Sequence, residues 1–211
     1  MNSQLLIFDL DGTLIDSRED LAAGINHMRT RFDLEPLPLE TVIGYIGNGV
    51  RRLVEGSLQG ANINVDEALR INKEYYYSHL TVHTTLYDGV EQGVRRLTAA
   101  GHTLAVLTNK PGDPSRHILD SFGIGDSFAA IIGGGDVGNL KPDPEGALRC
   151  MEIAGAEAAN TWMIGDHWTD LAVADHAGTK SAFVRYGFGE ECGYKPDVYF
   201  ASFSELVGYF C

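Results

Sequence analysis

The sequence predicts an α/β fold, a doubly wound (Rossmann-like) and mostly parallel sheet, with an all-helical domain inserted into it. Three observations carry this. Short apolar runs recur along the chain, each closing in a polar or glycine-rich segment: LLIFDL (5–10), TLAVLTN (103–109), FAAIIGGG (128–135), TWMIGD (161–166) and SAFVRY (181–186). Runs so continuously hydrophobic suit strands covered on both faces, as in a parallel sheet. Helix-period segments separate the later ones, giving a strand–helix alternation. The exception is the third observation: from Asp16 to His83 helical patterns follow one another without a strand, far longer than a crossover needs.

In chain order, the first strand ends in two carboxylates, Asp9 and Asp11. SREDLAAGINHMRTRF then places Leu21, Ile25, Met28 and Phe32 at helical spacing, with Ser17 as N-cap and Glu19 and Asp20 in the first turn. LPLETVIGYIG, NGVRRLVEGSL and VDEALRINKEYYYSHL also read as helices. The expected domains are therefore a helical insert over 16–83 and an α/β core formed by 1–15 and 84–211. Past the insert, DGVEQGVRRLTAAG sets Val90, Val94 and Leu97 on one helix face, with Gly101 as a stop. DPSRHILDSFG and HWTDLAVADHAG read likewise. KPDPEGALRCMEIAG has prolines at its start and Gly155 at its end, the asymmetry of a helix.

The totals narrow the function. A chain of 211 residues can hold one core and a smaller companion. Its formal net charge of −13 argues against non-specific nucleic-acid or anionic-membrane binding. No apolar run approaches the ~20 residues of a bilayer span, and no basic-then-apolar leader is seen. Three cysteines (Cys150, Cys192, Cys211) make no disulfide framework and show no metal-ligand spacing, so a reducing cytoplasm is expected.

In open α/β sheets, ligands bind beyond the carboxyl ends of the strands. There the sequence puts Asp9, Asp11 and Thr13, then Thr108, Asn109 and Lys110, then Lys141 in NLKPDP, then Asp166 with Asp170 four residues on. An isolated buried carboxylate is costly, so Asp9 requires a counter-charge. Asp9 and Asp166 can bind one Mg²⁺, a cation that takes a few hard oxygens. Lys141 adds positive charge, and Thr108 with the backbone N–H groups around Asn109 can hold phosphate oxygens. A carboxylate can serve as nucleophile to phosphorus, and Asp11 stands two residues away as a proton donor. The chemistry this set suits is phosphoryl transfer.

DLDGTLIDS, TNK, LKPDPEG and GDHWTD resemble, in order, the four motifs of the haloacid dehalogenase-like phosphatase superfamily. The helical insert falls where that superfamily carries its helical cap. IGNGVRRLVE, LYDGV and TNKP are most similar to its phosphoglycolate phosphatase branch. The resemblance implies Asp9 as nucleophile and Asp11 as general acid, then base. It implies Mg²⁺ held by Asp9, the Asp11 carbonyl and Asp166, the phosphoryl group bound by Thr108 and Lys141, and Asp170 supporting metal or lysine from outside. Asp11 must then carry a proton when substrate binds. The expected substrate is a small phosphorylated metabolite, 2-phosphoglycolate by likeness, under a cap hinged near Asp16–Ser17 and His83–Gly89. The enzyme is expected as a monomer or homodimer. His167 departs from the usual small hydroxyl residue after Asp166, and no role is carried over to it or to Trp168.

Other readings are weaker. A calcium loop starting at Asp9 would need Gly sixth and Glu twelfth; those positions hold Leu14 and Asp20. GGGDVG (133–138) matches G-x-G-x-x-G without opening a helix directly. His79 and His83 have metal-pair spacing on an expected helix but no third ligand. Tyr75–Tyr77 cannot share one helix face. Arg51 and Arg52 are candidates for a substrate carboxylate or for a solvated face. By family likeness, a dehalogenase would lack Asp11. A phosphosugar mutase would carry histidine where Leu21 stands. A pyrophosphatase stays open; the presence of every catalytic position speaks against a non-enzymatic binding protein.

Overall fold

The computed structural model describes residues 3–211. The chain divides into two compact units, one comprising the chain up to Asp16 with Leu86–Cys211, the other Ser17–Thr85. In chain order, β1 (Leu5–Phe8) and the short β2 (Ile15–Asp16) precede four helices: α1 (Arg18–Thr30), α2 (Leu39–Ile43), α3 (Val50–Leu58) and α4 (Val65–Tyr77). Then come β3 (Thr85–Leu86), α5 (Val90–Ala99), β4 (Thr103–Pro111), α6 (Gly112–Ser121) and β5 (Ala130–Gly134). The rest is α7 (Glu145–Ala154), β6 (Thr161–Gly165), α8 (Trp168–Ala177), β7 (Lys180–Val184), β8 (Val198–Phe200) and α9 (Phe203–Phe210).

The larger unit is built on a sheet of order β5-β4-β1-β6-β7-β8, every pairing parallel. β1 lies at its centre, with Leu5 paired to Thr103 on one side and Thr161 on the other. All four of its residues are buried, because both faces of the sheet are covered. Leu5 and Ile7 point to a core shared with Ala147, Cys150 and Met151 of α7 and Val173 and Ala174 of α8. Phe8 points the opposite way, by the strand's two-residue period, and meets Phe203 of α9 at a ring-centroid distance of 5.9 Å. There α9 packs with α5, whose Val90, Val94 and Leu97 are buried as their spacing predicts.

The order places the ends of β1, β4 and β6 side by side. β4 is irregular near its end: its register with β5 shifts between Leu107 and Pro111. Such bulges break strict alternation and re-aim side chains. β8 and α9 are absent from the sequence expectation; for β8, three residues give no readable period. GGGDVG proves to be the end of β5 and a turn, where Asp136 accepts from Gly133 N at 2.9 Å and from Arg116 Nη1 at 2.8 Å.

The smaller unit is helical and pinned by buried polar groups. Asp20 lies in the first turn of α1, as expected, and is buried. It accepts from the backbone N–H of Thr84 at 2.8 Å and from its hydroxyl at 2.7 Å. Ser17 holds the N-cap position of α1, though its side chain makes no capping bond, and Phe32 lies past the helix. The buried Arg29 donates to the carbonyls of Glu35 and Ser57. His79 and His83 both lie beyond α4 rather than on it. His79 instead stacks on Tyr75 at 4.1 Å, and Tyr75 on His27 at 4.2 Å. Among the described residues no helix is long and apolar enough to cross a membrane.

Candidate active site

At the carboxyl ends of β1 and β6, one carboxylate oxygen from each of Asp9, Asp166 and Asp170 lies within 4.8 Å of the others, and all three residues are buried. Asp9 follows β1 directly. Its Oδ1 accepts from Leu10 N at 2.6 Å and pairs with Lys141 Nζ at 2.9 Å. Among the described residues no donor sits on Oδ2. Lys141 also pairs with Asp170 Oδ1 at 2.6 Å, while Asp170 Oδ2 accepts from His167 N at 3.1 Å. Asp170 therefore anchors Lys141 and the start of α8 together.

Asp166 is held differently. Its Oδ2 accepts from the backbone N–H groups of Phe188 (2.9 Å) and Gly189 (2.8 Å), and its Oδ1 from Thr13 Oγ1 at 3.3 Å. Glycine is required around it. A Cβ on Gly12, whose φ is +83°, would stand 2.1 Å from Asp166 Oδ2, and one on Gly187 would stand 2.4 Å from it. The 186–189 segment is thus part of the site.

Burial lifts Asp9 from its ordinary 3.8 to about 6, with Lys141 pulling down and Asp170 pushing up. Burial, then the charges of Asp9 and Asp170, lift Asp166 to about 8 despite its two backbone donors. For Lys141, burial favours the neutral amine, yet Asp170 and Asp9 hold it above its ordinary 10.5. Burial and the Lys141 charge lower His167 to about 4; it caps α8 as a neutral ring, its Nδ1 2.9 Å from Thr169 Oγ1. The Trp168 ring lies near parallel to that of Tyr194 at 6.3 Å.

The remaining residues expected at the site divide. Asp11 is ion-paired with Lys110, whose Nζ donates to its two oxygens at 2.9 and 3.2 Å. Thr108 is buried, and its hydroxyl accepts from Lys110 N at 3.2 Å. The Asn109 amide clasps the backbone of Lys141, accepting from its N at 2.7 Å and donating to its carbonyl at 3.0 Å. Its side chain thereby sets the place of the lysine. Arg51 and Arg52 belong to the smaller unit, exposed on α3. Arg51 pairs with Asp66 and Glu55, and Arg52 with Glu55.

The donor set fits a divalent cation. Four carboxylates (Asp9, Asp11, Asp166, Asp170) face two ammonium groups (Lys110, Lys141). The two formal negative charges left over are what one Mg²⁺ would neutralise, and hard oxygens are its preferred ligands. Burial first, and neighbouring carboxylate charge after it, raise Asp166 and Asp9; a bound cation would oppose both shifts.

A family model described as "Haloacid dehalogenase-like hydrolase" matches residues 6–184. The chain is 37% identical over 221 residues to a phosphoglycolate phosphatase of Psychrobacter arcticus, covering 99% of this chain and 96% of that one. It is 33% identical over 204 residues to a phosphoglycolate phosphatase of Aquifex aeolicus, covering 97% and 95%. Its fold matches the crystal structure of a predicted phosphoglycolate phosphatase from Haemophilus somnus with a TM-score of 0.94, at 29% identity and 99% and 98% coverage. The chain belongs to the haloacid dehalogenase-like hydrolase family. Within that class it is a phosphatase.

Proposed function

We propose that the protein is a Mg²⁺-dependent phosphomonoesterase that hydrolyses 2-phosphoglycolate through an aspartyl-phosphate on Asp9. The observation that carries this is the convergence of Asp9, Asp166 and Asp170 in a buried cluster with Lys141 on the first and third. The substrate rests on the near full-length likeness to phosphoglycolate phosphatases. Asp9, Asp166 and the Asp11 carbonyl would hold the Mg²⁺. When bound, it supplies positive charge to the phosphate oxygens and to the crowded carboxylates.

With its two donors on Oδ1, Asp9 offers Oδ2 to phosphorus. The new bond forms as the ester P–O bond breaks, and Asp11 gives its proton to the leaving oxygen, releasing glycolate. Asp11 then takes a proton from water, which attacks phosphorus; phosphate leaves and the Asp9 carboxylate returns. Lys141 and the Thr108 hydroxyl hold the phosphoryl oxygens throughout, where charge develops. Asn109 and Asp170 keep Lys141 in place. The three cysteines are free thiols, as suits a reducing compartment, and we assign the enzyme to the cytoplasm.

The test is phosphate release from 2-phosphoglycolate, sugar phosphates, nucleotides, pyrophosphate and p-nitrophenyl phosphate, with and without Mg²⁺, beside Asp9→Asn. Release that needs both Mg²⁺ and Asp9 and is fastest with 2-phosphoglycolate is the expected result. A folded wild type inert toward every ester would overturn the proposal. A higher rate with pyrophosphate would move the substrate assignment.

A further inference from the structure

Lys110 takes no part in the steps above, yet it is one of two ammonium groups buried at the site. Its side chain is 2% exposed, and Nζ stands 2.9 Å from Asp11 Oδ1. Burying an ammonium group is costly unless it is paired. Lys141 meets that cost with Asp9 and Asp170, on the side where the phosphoryl group is held. Lys110 sits instead against the carboxylate that would protonate the leaving oxygen. The irregular end of β4 turns it there while Asn109, its neighbour, turns to Lys141. The two cations thus divide between Asp9, the nucleophile of the proposed steps, and Asp11, their proton donor.

We propose that Lys110 determines specificity, selecting phosphate esters of 2-hydroxy acids by pairing with their carboxylate. The proposal rests on the phosphomonoesterase reading, with Asp11 as proton donor. In such an ester the carboxyl carbon is two bonds from the leaving oxygen. When that oxygen is within hydrogen-bond reach of Asp11, the carboxylate falls within ion-pair reach of a cation bonded to the same Asp11. The extra negative charge of this substrate enters a site already rich in carboxylates, on a chain of net charge −13. A fixed cation on the leaving-group side is what makes that entry favourable, and it disfavours neutral and cationic analogues of the same size.

The test compares three esters of equal length with the full-length enzyme and Mg²⁺: 2-phosphoglycolate, 2-hydroxyethyl phosphate and phosphoethanolamine. Wild-type kcat/KM should fall in that order. Lys110→Gln, which keeps a donor for Asp11 but removes the charge, should reduce the preference for the acid over the neutral ester by about tenfold or more. Lys110→Arg should retain that preference. An equal loss on all three esters in Lys110→Gln overturns the proposal, because Lys110 would then act only through Asp11. If the variant does not fold, the wild type still decides: equal use of the acid and the neutral ester overturns it. A wild type inert toward all three is a separate result, which removes the phosphomonoesterase reading and this proposal with it.

Discussion

Asp166 is a buried carboxylate pressed by its neighbours Asp9 and Asp170. Its folded pKa of about 8 lies above the ordinary 3.8. It therefore favours the folded state while protonated, in full below pH 4, and that contribution is lost as pH rises through about 8. Metal-free protein should lose stability across this window, and Asp166→Asn should flatten the loss. At pH 8 in chelator, the variant should melt higher than wild type by roughly 5 °C, as differential scanning calorimetry would record. Equal melting temperatures would contradict the assignment. Asp9→Asn should lower kcat by about a thousandfold or more, read by phosphate release. These carboxylates were legible because each follows a hydrophobic run that had to end at the same sheet edge. Lys110 was visible in TNK, but spacing does not reveal where a side chain points beside a bulge. The Phe188 and Gly189 donors are backbone N–H groups and carry no residue signature at all.

Among the elements, β4, the start of α8 and the segment after β7 shape the site. The segment after β7 reaches Asp166 only because Gly187 and Gly189 permit the approach. Gly187→Ala must displace either the Asp166 carboxylate or the segment. It should raise the Mg²⁺ concentration for half-maximal activity by about tenfold or more, with a smaller change in KM for the ester. A Mg²⁺ titration at fixed substrate reads this, and an unchanged midpoint would contradict the role given to the segment. The helices of both units, α9 excepted, were legible from apolar spacing and glycine stops. Their polar fastenings were not: Asp20 looked like an ordinary first-turn acid, and its bonds to Thr84 span 64 residues. For Asn109 the sequence suggests backbone N–H groups toward phosphate, and nothing in it reveals that the side-chain amide holds Lys141.

Across the whole molecule, a chain of net charge −13 gathers four carboxylates at one sheet edge and covers them with two lysines. Two formal negative charges are left over, so a cation bound there would stabilise the folded state. Saturating Mg²⁺ at pH 8 should raise the melting temperature of wild type by roughly 5 to 10 °C, and that of Asp166→Asn by much less. The alternation of strands and helices and the long helical insert were both readable from hydrophobic period, because each reflects burial. Substrate selection was not, because it depends on where individual charges settle. The most direct test of the proposed chemistry is to trap the phosphoenzyme. Enzyme turning over 2-phosphoglycolate with Mg²⁺ is quenched in borohydride, which reduces an aspartyl-phosphate to homoserine, and its peptides are sequenced by mass spectrometry. Homoserine at position 9, absent without substrate and absent in Asp9→Asn, is the expected result; an active enzyme with Asp9 unmodified would contradict it.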